Sequence, residues 1–291
     1  MMSKINFEIP SYGDIEEEQS KEILKQTGFD MRLFKEVVDL QNSLNEKVDI
    51  AWIQRKHDWN LAMLLESGEL LDSFDWKWWK AGKNDWENVE IELIDLFHFL
   101  IAKAIEEKQT NIFSYLLMSA HIANKDKTDV IKNDELISNI QNIMITRFLP
   151  AILSKNTVGA IMAWIDLWFG MGRTADELFL TYKMKYALNI FRQDNGYKTG
   201  EYSKLWNGVE DNVIAQQLIE KHSIKNDSKF IKKLTDLLEE EYSKIERPKE
   251  KSLENFLESD PKWKYFIDLV PEESKKVIID LAEEFKKYLE K

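Results

Sequence analysis

Two pairs of acidic residues interrupt apolar stretches of this sequence. Glu66 and Glu69 are three residues apart among leucines, and Glu92 and Asp95 repeat this spacing in a second apolar stretch. Side chains three residues apart project from the same face of a helix. Carboxylates that occupy positions where the pattern calls for core residues must be protonated, paired with cations or bound to metal, because an uncompensated buried charge costs several kcal/mol.

The surroundings of these acids favour a metal site. The two stretches, 61–74 and 89–102, contain no Lys or Arg, which makes solvated helix faces with lysine partners the weaker interpretation. Ligands that offer only oxygen favour a hard ion, Mg²⁺ or Mn²⁺ as its substitute. His98 could instead indicate a di-iron centre, but the first stretch has no matching histidine, so we interpret it as a core or supporting residue. Mg²⁺ held by few carboxylates leaves positions for phosphates, and the pattern therefore predicts phosphoryl chemistry.

A group of cationic and amide side chains follows later in the chain. Lys185, Asn189 and Arg192 recur at spacings of four and three, which places them on one helical face, and a glycine-bearing loop with Lys198 and Lys204 comes next. Such side chains can meet phosphate oxygens through charge-assisted hydrogen bonds. A solvated basic turn is an equally good interpretation of this group taken alone.

The elements that must position these residues have helical periodicity. Apolar helices are predicted over 33–44, 52–74, 86–107, 136–154, 158–169 and 174–191. Asn84 or Asp85 is a plausible cap for the third of these, and Thr174 and Glu177 have the spacing of a capping box. A short connection between the second and third helices predicts antiparallel packing, which would bring the two acid pairs face to face. With no repeat and no long alternating strand pattern, the sequence predicts an all-α protein.

Composition and charge exclude several classes of protein. With 10 Gly and 5 Pro in 291 residues, long helices are favoured, and the absence of Cys excludes disulfides and thiolate metal sites and fits a reducing cytoplasm. The first residues lack the apolar stretch of a signal peptide, and polar residues break the most apolar segment, 148–171. A net charge of −12 opposes binding to a nucleic-acid backbone. We therefore expect a soluble, cytoplasmic protein that binds neither membranes nor nucleic acid.

The chain divides into two predicted parts. Residues 1–225 form the predicted catalytic domain, with a polar surface insertion at 124–135. Residues 226–291 form a charged helical extension, punctuated by Pro248, Pro261 and Pro271, to which the sequence assigns no role.

Four segments resemble the dimeric all-α dUTPases, which belong to the all-α nucleoside-triphosphate pyrophosphatase superfamily. The segments are ESGE at 66–69, LLDSFDWKWWK at 70–80, ELIDLFHF at 92–99 and LNIFRQDNGYKTGEYSKLWNGVEDN at 188–212. Acid pairs of this kind occur across the superfamily, whereas the tryptophan–lysine segment and FRQDNGYK are more specific to the dUTPase branch. The resemblance extends over about 33–219 and implies a helical bundle with a central four-helix core.

The resemblance also implies roles for individual residues. The magnesium ligands would be Glu66, Glu69, Glu92 and Asp95, with Glu66 and Glu69 catalytic through a water molecule. The phosphate contacts would be Lys185, Asn189, Arg192, Lys198 and Lys204. The residues closing over the sugar and phosphates would be Asn195, Tyr197, Asp211 and Asn212. Gln41 and Asn45 would hydrogen-bond the uracil edge, because amide groups can pair with both donors and acceptors, and Trp79 would pack against the ring.

The resulting hypothesis is a homodimeric, Mg²⁺-dependent dUTP diphosphatase that produces dUMP and pyrophosphate and also accepts dUDP. Two alternatives stay open. One is a related pyrophosphatase with dCTP or broader specificity, and the other is a helical binding protein that retains the fold without the activity. The presence of all four acids counts against the second alternative.

Overall fold

The computed structural model describes residues 17–125 and 130–245 and confirms the all-α fold. The helices are α1 (Glu17–Thr27), α2 (Met31–Val48), α3 (Trp52–Arg55), α4 (Trp59–Asp72), α5 (Trp86–Glu106), α6 (Thr110–Asn124), α7 (Asp134–Ile143), α8 (Leu149–Leu153), α9 (Thr157–Gly170), α10 (Ala175–Asp194), α11 (Asp211–Lys221) and α12 (Phe230–Ser243). A π-helical turn, Met144–Phe148, joins α7 to α8. Two short strands, β1 (Leu205–Trp206) and β2 (Val209–Glu210), pair antiparallel.

Helix α5 lies at the centre of the fold because nearly its whole circumference is apolar. It packs against α2, α4, α9 and α10. Phe97 stacks on Trp164 of α9 with ring centroids 4.6 Å apart, and the Trp164 indole donates to the Leu93 carbonyl at 2.8 Å. Within this helix Glu92 is buried and Asp95 is half-buried.

Helices α4 and α5 pack antiparallel, as the short connection between them predicts. At one end Asn88 donates to the Ser73 hydroxyl at 2.8 Å, and at the other the Trp59 indole donates to Glu106 at 2.5 Å. Asp85 caps α5 by accepting from the backbone of Asn88. This arrangement places the first acid pair opposite the second.

The predicted helix over 52–74 is wrong as one element. The structure divides it into α3 and α4, because Lys56 adopts a left-handed conformation (φ 51°) that no α-helix continues through. Asp58 then starts α4 by accepting from the Leu61 backbone amide. Before the break, Arg55 of α3 pairs with Asp49, the residue that follows α2, at 2.9 Å.

The segment predicted as a loop after α10 contains a β-hairpin. Its turn is Asn207–Gly208, and both residues have positive φ, 52° and 87°. Positive φ at both central residues is the requirement of a type I′ turn, for which Asn-Gly is the preferred sequence. The hairpin folds the chain back so that α11 begins directly beside α10.

Two further predictions concern chain organisation. The chain divides into two compact units, Met1–Tyr242 and Ser243–Lys291, and nearly all of the second lies outside the described residues. The division at residue 225 stays a prediction. Residues 126–129 of the predicted insertion at 124–135 also lie outside the described residues, and α7 begins within its last part.

In the part of the chain that the structure describes, one continuous helical stretch could cross a membrane by length and composition. It is Asp134–Leu153, and 39% of its most apolar 18-residue window is buried inside the protein. Leu136, Ile140, Met144 and Phe148 from this stretch contribute to the hydrophobic core. Core helices of soluble proteins meet the same criteria, so this finding is weak evidence for a membrane span.

Candidate active site

Three carboxylates from α4 and α5 come together as the antiparallel packing requires. Glu66, Glu69 and Glu92 each offer an oxygen within 4.8 Å of those of the others. Glu92 is buried, Glu66 is half-buried and Glu69 is exposed. A group of this kind, made only of carboxylate oxygens with one side open, suits a hard divalent cation.

Mutual repulsion and burial disturb the ionisation of this acid cluster. Burial, followed by the charges of Asp95 and Glu69, raises the pKa of Glu66 to about 7. Burial and then the charge of Asp95 raise the pKa of Glu92 to about 8. Oε2 of Glu92 is buried and has no hydrogen-bond partner among the described residues. Because buried polar atoms are normally satisfied, this oxygen marks a place for a cation or ligand.

Asp95, the fourth predicted metal ligand, lies beside the cluster but outside the group of three. Its carboxylate is 2.8 Å from Nζ of Lys185 on α10. Lys185 is almost fully buried and also donates to Oδ1 of Asn212 at 3.0 Å. The cation that the stretches 61–74 and 89–102 lack is therefore supplied from a residue ninety positions later in the chain.

Arg192 is held in place by a fully buried carboxylate. Its Nε and Nη2 atoms donate to the two oxygens of Asp211 at 2.8 and 2.7 Å, and Nη1 donates to Asn189 at 3.2 Å. Tyr202 donates a third hydrogen bond to Asp211 at 2.8 Å. Burial by itself lowers the pKa of Arg192, but the hydrogen bonds and charge of Asp211 raise it overall. Asp211 thus fixes a permanent cation.

These groups line one cavity of about 680 Å³ between α2, α4, α5, α10 and the hairpin. The predicted site residues that line it are Gln41, Asn45, Glu66, Glu69, Glu92, Asp95, Lys185, Asn189, Arg192, Tyr197, Lys204 and Asn212. The ring of Tyr197 lies below the Lys204 ammonium and the Arg192 guanidinium, 5.6 and 5.9 Å from its centroid. Acidic and basic groups therefore share a single concave surface.

Four predicted substrate contacts are not brought into the cavity lining. Trp79 is 58% exposed on the connection between α4 and α5 and packs edge-to-face against neighbouring tryptophans. Asn195 donates to the Phe191 carbonyl at the end of α10, and Lys198 donates to the Val48 carbonyl at 2.8 Å. Asp211 is enclosed behind Arg192. Asn195, Lys198 and Asp211 thus bond to the backbone or to another side chain. Trp79 contacts only other tryptophan rings among the ring contacts described.

A buried polar network fixes the orientation of the groups at the α2 side of the cavity. Oε1 of Gln41 accepts from the Tyr182 hydroxyl at 3.0 Å and lies 2.7 Å from Nδ1 of His98, while its Nε2 donates to Oδ1 of Asn45 at 2.8 Å. Burial lowers the pKa of His98 to about 4, so its ring is neutral. Since Gln41 presents an acceptor, Nδ1 must carry the proton and Nε2 must be an acceptor.

Two atoms of this network have nothing to bond to within the described chain. They are Nδ2 of Asn45, a donor, and Nε2 of His98, an acceptor, and both are buried at residues that line the cavity. Unsatisfied buried atoms at lining residues are positions where a ligand in the cavity can form hydrogen bonds.

The sequence reasoning missed several lining residues. Asn88 is four residues before Glu92 and seven before Asp95, a spacing that places it on the same helix face and could have identified it. The aromatic wall is formed by Trp52, Trp59 and Phe99. Nothing in the local pattern distinguishes these three rings from ordinary core residues.

A family model described as dUTPase matches residues 33–197, more than half of the 291-residue chain. The chain belongs to the dUTPase family. It is accordingly a dUTP diphosphatase of the all-α pyrophosphatase type, an enzyme that acts on a nucleotide and uses a divalent metal. No curated protein matches the chain significantly.

The matched range contains the acid cluster, Lys185 and Arg192 and ends at Tyr197. Lys204 and Asn212 lie beyond it, yet they line the same cavity as the matched residues. The cavity therefore includes residues outside the matched range that only the tertiary structure brings to it.

Proposed function

We propose that this dUTPase hydrolyses dUTP to dUMP and pyrophosphate in a Mg²⁺-dependent reaction within the cavity, and dUDP to dUMP and phosphate at the same site. One observation carries the proposal. A single cavity is lined by a carboxylate cluster, by the buried cations Lys185 and Arg192, and by Asn45 and His98, each of which has one unsatisfied buried atom. These are the groups needed for metal, phosphate and base.

We propose that Nδ2 of Asn45 and Nε2 of His98 both bind the edge of the base, which favours uracil over cytosine. Uracil presents an N3–H donor beside a carbonyl oxygen, which matches the acceptor of His98 and the donor of Asn45. Cytosine presents a lone pair at N3 and an amino group beside it, so the same edge would meet donor with donor and acceptor with acceptor. Gln41 bonds to both His98 and Asn45 and so fixes the orientation of these two partners.

The metal ligands in this proposal are Glu66, Glu69, Glu92 and Asp95. Mg²⁺ bound there would neutralise phosphate charge and lower the pKa of an attacking water. Glu66 orients that water and accepts its proton, because its half-buried carboxylate lies within the cluster beside Glu69 and Glu92. Arg192, Lys185 and Lys204 hold the phosphate oxygens and stabilise the charge that develops on them.

We place the attack at the β-phosphorus, as in the all-α dUTPases that the sequence resembles. Water oxygen then forms a bond to the β-phosphorus, the bond from that phosphorus to the α-phosphate oxygen breaks, and dUMP leaves. A nucleoside diphosphate also has a β-phosphorus, which is the reason for expecting dUDP turnover. Hydrolysis in ¹⁸O-labelled water tests this step: label is expected in pyrophosphate, and label in dUMP would overturn β-attack.

Base selectivity has its own test. Asn45→Ala should lower the ratio of kcat/KM for dUTP over dCTP by about 5- to 100-fold, because one discriminating hydrogen bond is lost. Asn42→Ala is the matched control, since Asn42 is one turn away on α2 and bonds only Glu46 among the contacts described. An unchanged ratio in Asn45→Ala would move base recognition elsewhere, and a panel with dTTP and UTP would then identify the preferred base.

The homodimer implied by the resemblance is also part of the proposal. An apolar face on α4 and the following connection is exposed, with Trp78 at 90% and Leu65 at 63%, and it includes Trp79. Light scattering after size exclusion should give the mass of two chains, and Trp78→Ser with Leu65→Ser should weaken association. Ile131→Ser, at an exposed residue elsewhere, is the control. A monomeric wild-type protein would contradict the dimer.

A further inference from the structure

Helix α12 lies beyond the residues matched by the dUTPase family, and the proposed function gives it no role. It has one buried stripe, Phe230, Leu234, Leu238 and Tyr242, at successive spacings of four. Such a stripe shows that the helix packs against the protein along one face rather than extending into solvent.

The last residue of the stripe packs into an aromatic cluster beside the phosphate side of the cavity. The Tyr242 ring stacks on Tyr202 with centroids 5.3 Å apart and an interplanar angle of 25°. It also contacts Trp206 of the hairpin at 5.0 Å and Phe191 of α10 at 5.4 Å. All four rings are buried. Tyr242 therefore joins the end of α10, the loop after it and the hairpin at one point.

Tyr202 connects this cluster to the active site. Its hydroxyl donates to Asp211 at 2.8 Å, and Asp211 holds the guanidinium of Arg192 through two hydrogen bonds. Burial and the neighbouring charge of Asp211 raise the pKa of Tyr202, so its hydroxyl stays a donor. Arg192 in turn lines the cavity.

We propose that Tyr242 on α12 is a positioning residue for the phosphate-binding side of the active site. Its ring holds Tyr202 in place, Tyr202 fixes Asp211, and Asp211 aims Arg192 at the phosphate chain. This inference rests on the proposed role of Arg192 in binding phosphate. It assigns α12 a function in catalysis although no residue of α12 lines the cavity.

The physical reason is the precision that phosphate binding requires. Arginine has many rotamers, and its planar guanidinium binds phosphate well only when both direction and plane are set. Misplacement of a substrate-positioning group by about 1 Å can lower activity by up to about a hundredfold. The acid cluster is held by α4 and α5, so loss of Tyr242 should disturb phosphate contacts and leave the metal ligands in place.

The test is a double-mutant cycle on the full-length enzyme with dUTP and Mg²⁺. Tyr242→Ala should lower kcat/KM by about tenfold or more, with the Mg²⁺ concentration for half-maximal activity unchanged. Tyr242→Phe, which keeps the ring, should restore activity. In an Arg192→Ala background, Tyr242→Ala should have an additional effect of less than about twofold, because the two residues act through one interaction.

A control separates positioning from general destabilisation. Leu117→Ala removes a fully buried side chain on α6 that does not line the cavity, and should lower the melting temperature without lowering kcat/KM at a temperature where the protein is folded. If Tyr242→Ala does not fold, Tyr202→Phe removes only the hydroxyl that bonds Asp211. It should lower kcat/KM in the same non-additive way.

The outcomes distinguish the inference from the proposed function. If Arg192→Ala keeps wild-type activity, the phosphate role of Arg192 and the positioning inference both fail. If Arg192→Ala is impaired while Tyr242→Ala and Tyr202→Phe are fully active, the inference is overturned and the proposed function stands. Losses that multiply in the double variant would likewise overturn it, because Tyr242 would then act independently of Arg192.

Discussion

Replacing Glu92 with glutamine should make the metal-free enzyme more stable while abolishing its activity. Glutamine preserves the shape of the side chain and retains a group that can donate to Glu66, but it removes one charge from the cluster. Stability and catalysis are expected to change in opposite directions because the cluster is arranged for a cation rather than for the apo fold.

The magnitude follows from the ionisation of Glu92. Its pKa is about 8 in the folded protein against an ordinary value of 4.5. At about pH 7 the folded chain must hold a proton that the unfolded chain releases, which costs about 3 kcal/mol. Solvent screening in an open cavity reduces this to about 2 kcal/mol. For a domain of this size the gain corresponds to a rise in melting temperature of about 4–8 °C.

Excess Mg²⁺ should make the wild-type protein more stable than Glu92→Gln. The wild-type protein gains stability from binding metal in the native state, whereas the variant lacks a ligand and gains less. Thermal melts of both proteins, with EDTA and with Mg²⁺, measure this crossover, and pyrophosphate release measures turnover, which should fall by orders of magnitude. The control is Glu87→Gln, an exposed residue in the first turn of α5 with the same change in net charge. It should shift stability by less than about 0.5 kcal/mol in either condition.

Two results would refute this reasoning. A Glu92→Gln variant that melts below the wild type in EDTA would show that the carboxylates do not repel one another as their positions indicate. A folded variant that hydrolyses dUTP at the wild-type rate would show that Glu92 is not part of the metal site.

Three further predictions concern charge. In the metal-free enzyme the pKa values of Glu66 and Glu92 lie above their ordinary value. The stability that these two groups contribute is therefore complete below about pH 4.5 and is lost as pH rises through about 7 and 8. Melting temperatures of the wild type in EDTA, taken relative to those of Glu92→Gln, should fall over this range, and values that stay level or rise would contradict the prediction. Because these two carboxylates hold protons in the metal-free enzyme, Mg²⁺ binding should release protons and should become tighter from about pH 6 to 8. Calorimetry in buffers of different ionisation enthalpy measures the protons released. Binding without proton release would count against the carboxylate cluster as the metal site. Lys185→Met leaves Asp95 without its buried partner and should lower the free energy of unfolding in urea by about 3 kcal/mol. The control Lys198→Met should lower it by less than about 1 kcal/mol. Equal losses in the two variants would show that the ion pair of Lys185 does not stabilise the fold more than a surface hydrogen bond.

Much of the fold was predictable because helices are determined locally. The capping box of Thr174 and Glu177 is present as predicted, and Asp85 caps α5. The spacing of Glu66 and Glu69 places them on one face wherever the helix packs. By contrast, the left-handed Lys56 that divides α3 from α4 has no signal in a lysine side chain, because its conformation depends on how the flanking helices dock.

The Asn207–Gly208 hairpin turn was predictable and was missed. Asn-Gly is the strongest short-range signal for such a turn, but the strands beside it are only two residues long and carry no alternating pattern. This short hairpin matters for the tertiary structure because it brings Asp211 against Arg192.

The sequence alone determined that this protein is helical, that acids lie in pairs on its helix faces and that cations follow on another helix. Only the tertiary structure decided which charges meet: Asp95 with Lys185, Arg192 with Asp211, and His98 with Gln41. It also left Trp79 on the surface, outside the cavity lining. The reason is physical. Helical spacing fixes the direction of a side chain relative to its own helix. Its partners depend on how the helices rotate and dock to bury the apolar core, and that docking is decided by the sum of interactions over the whole chain.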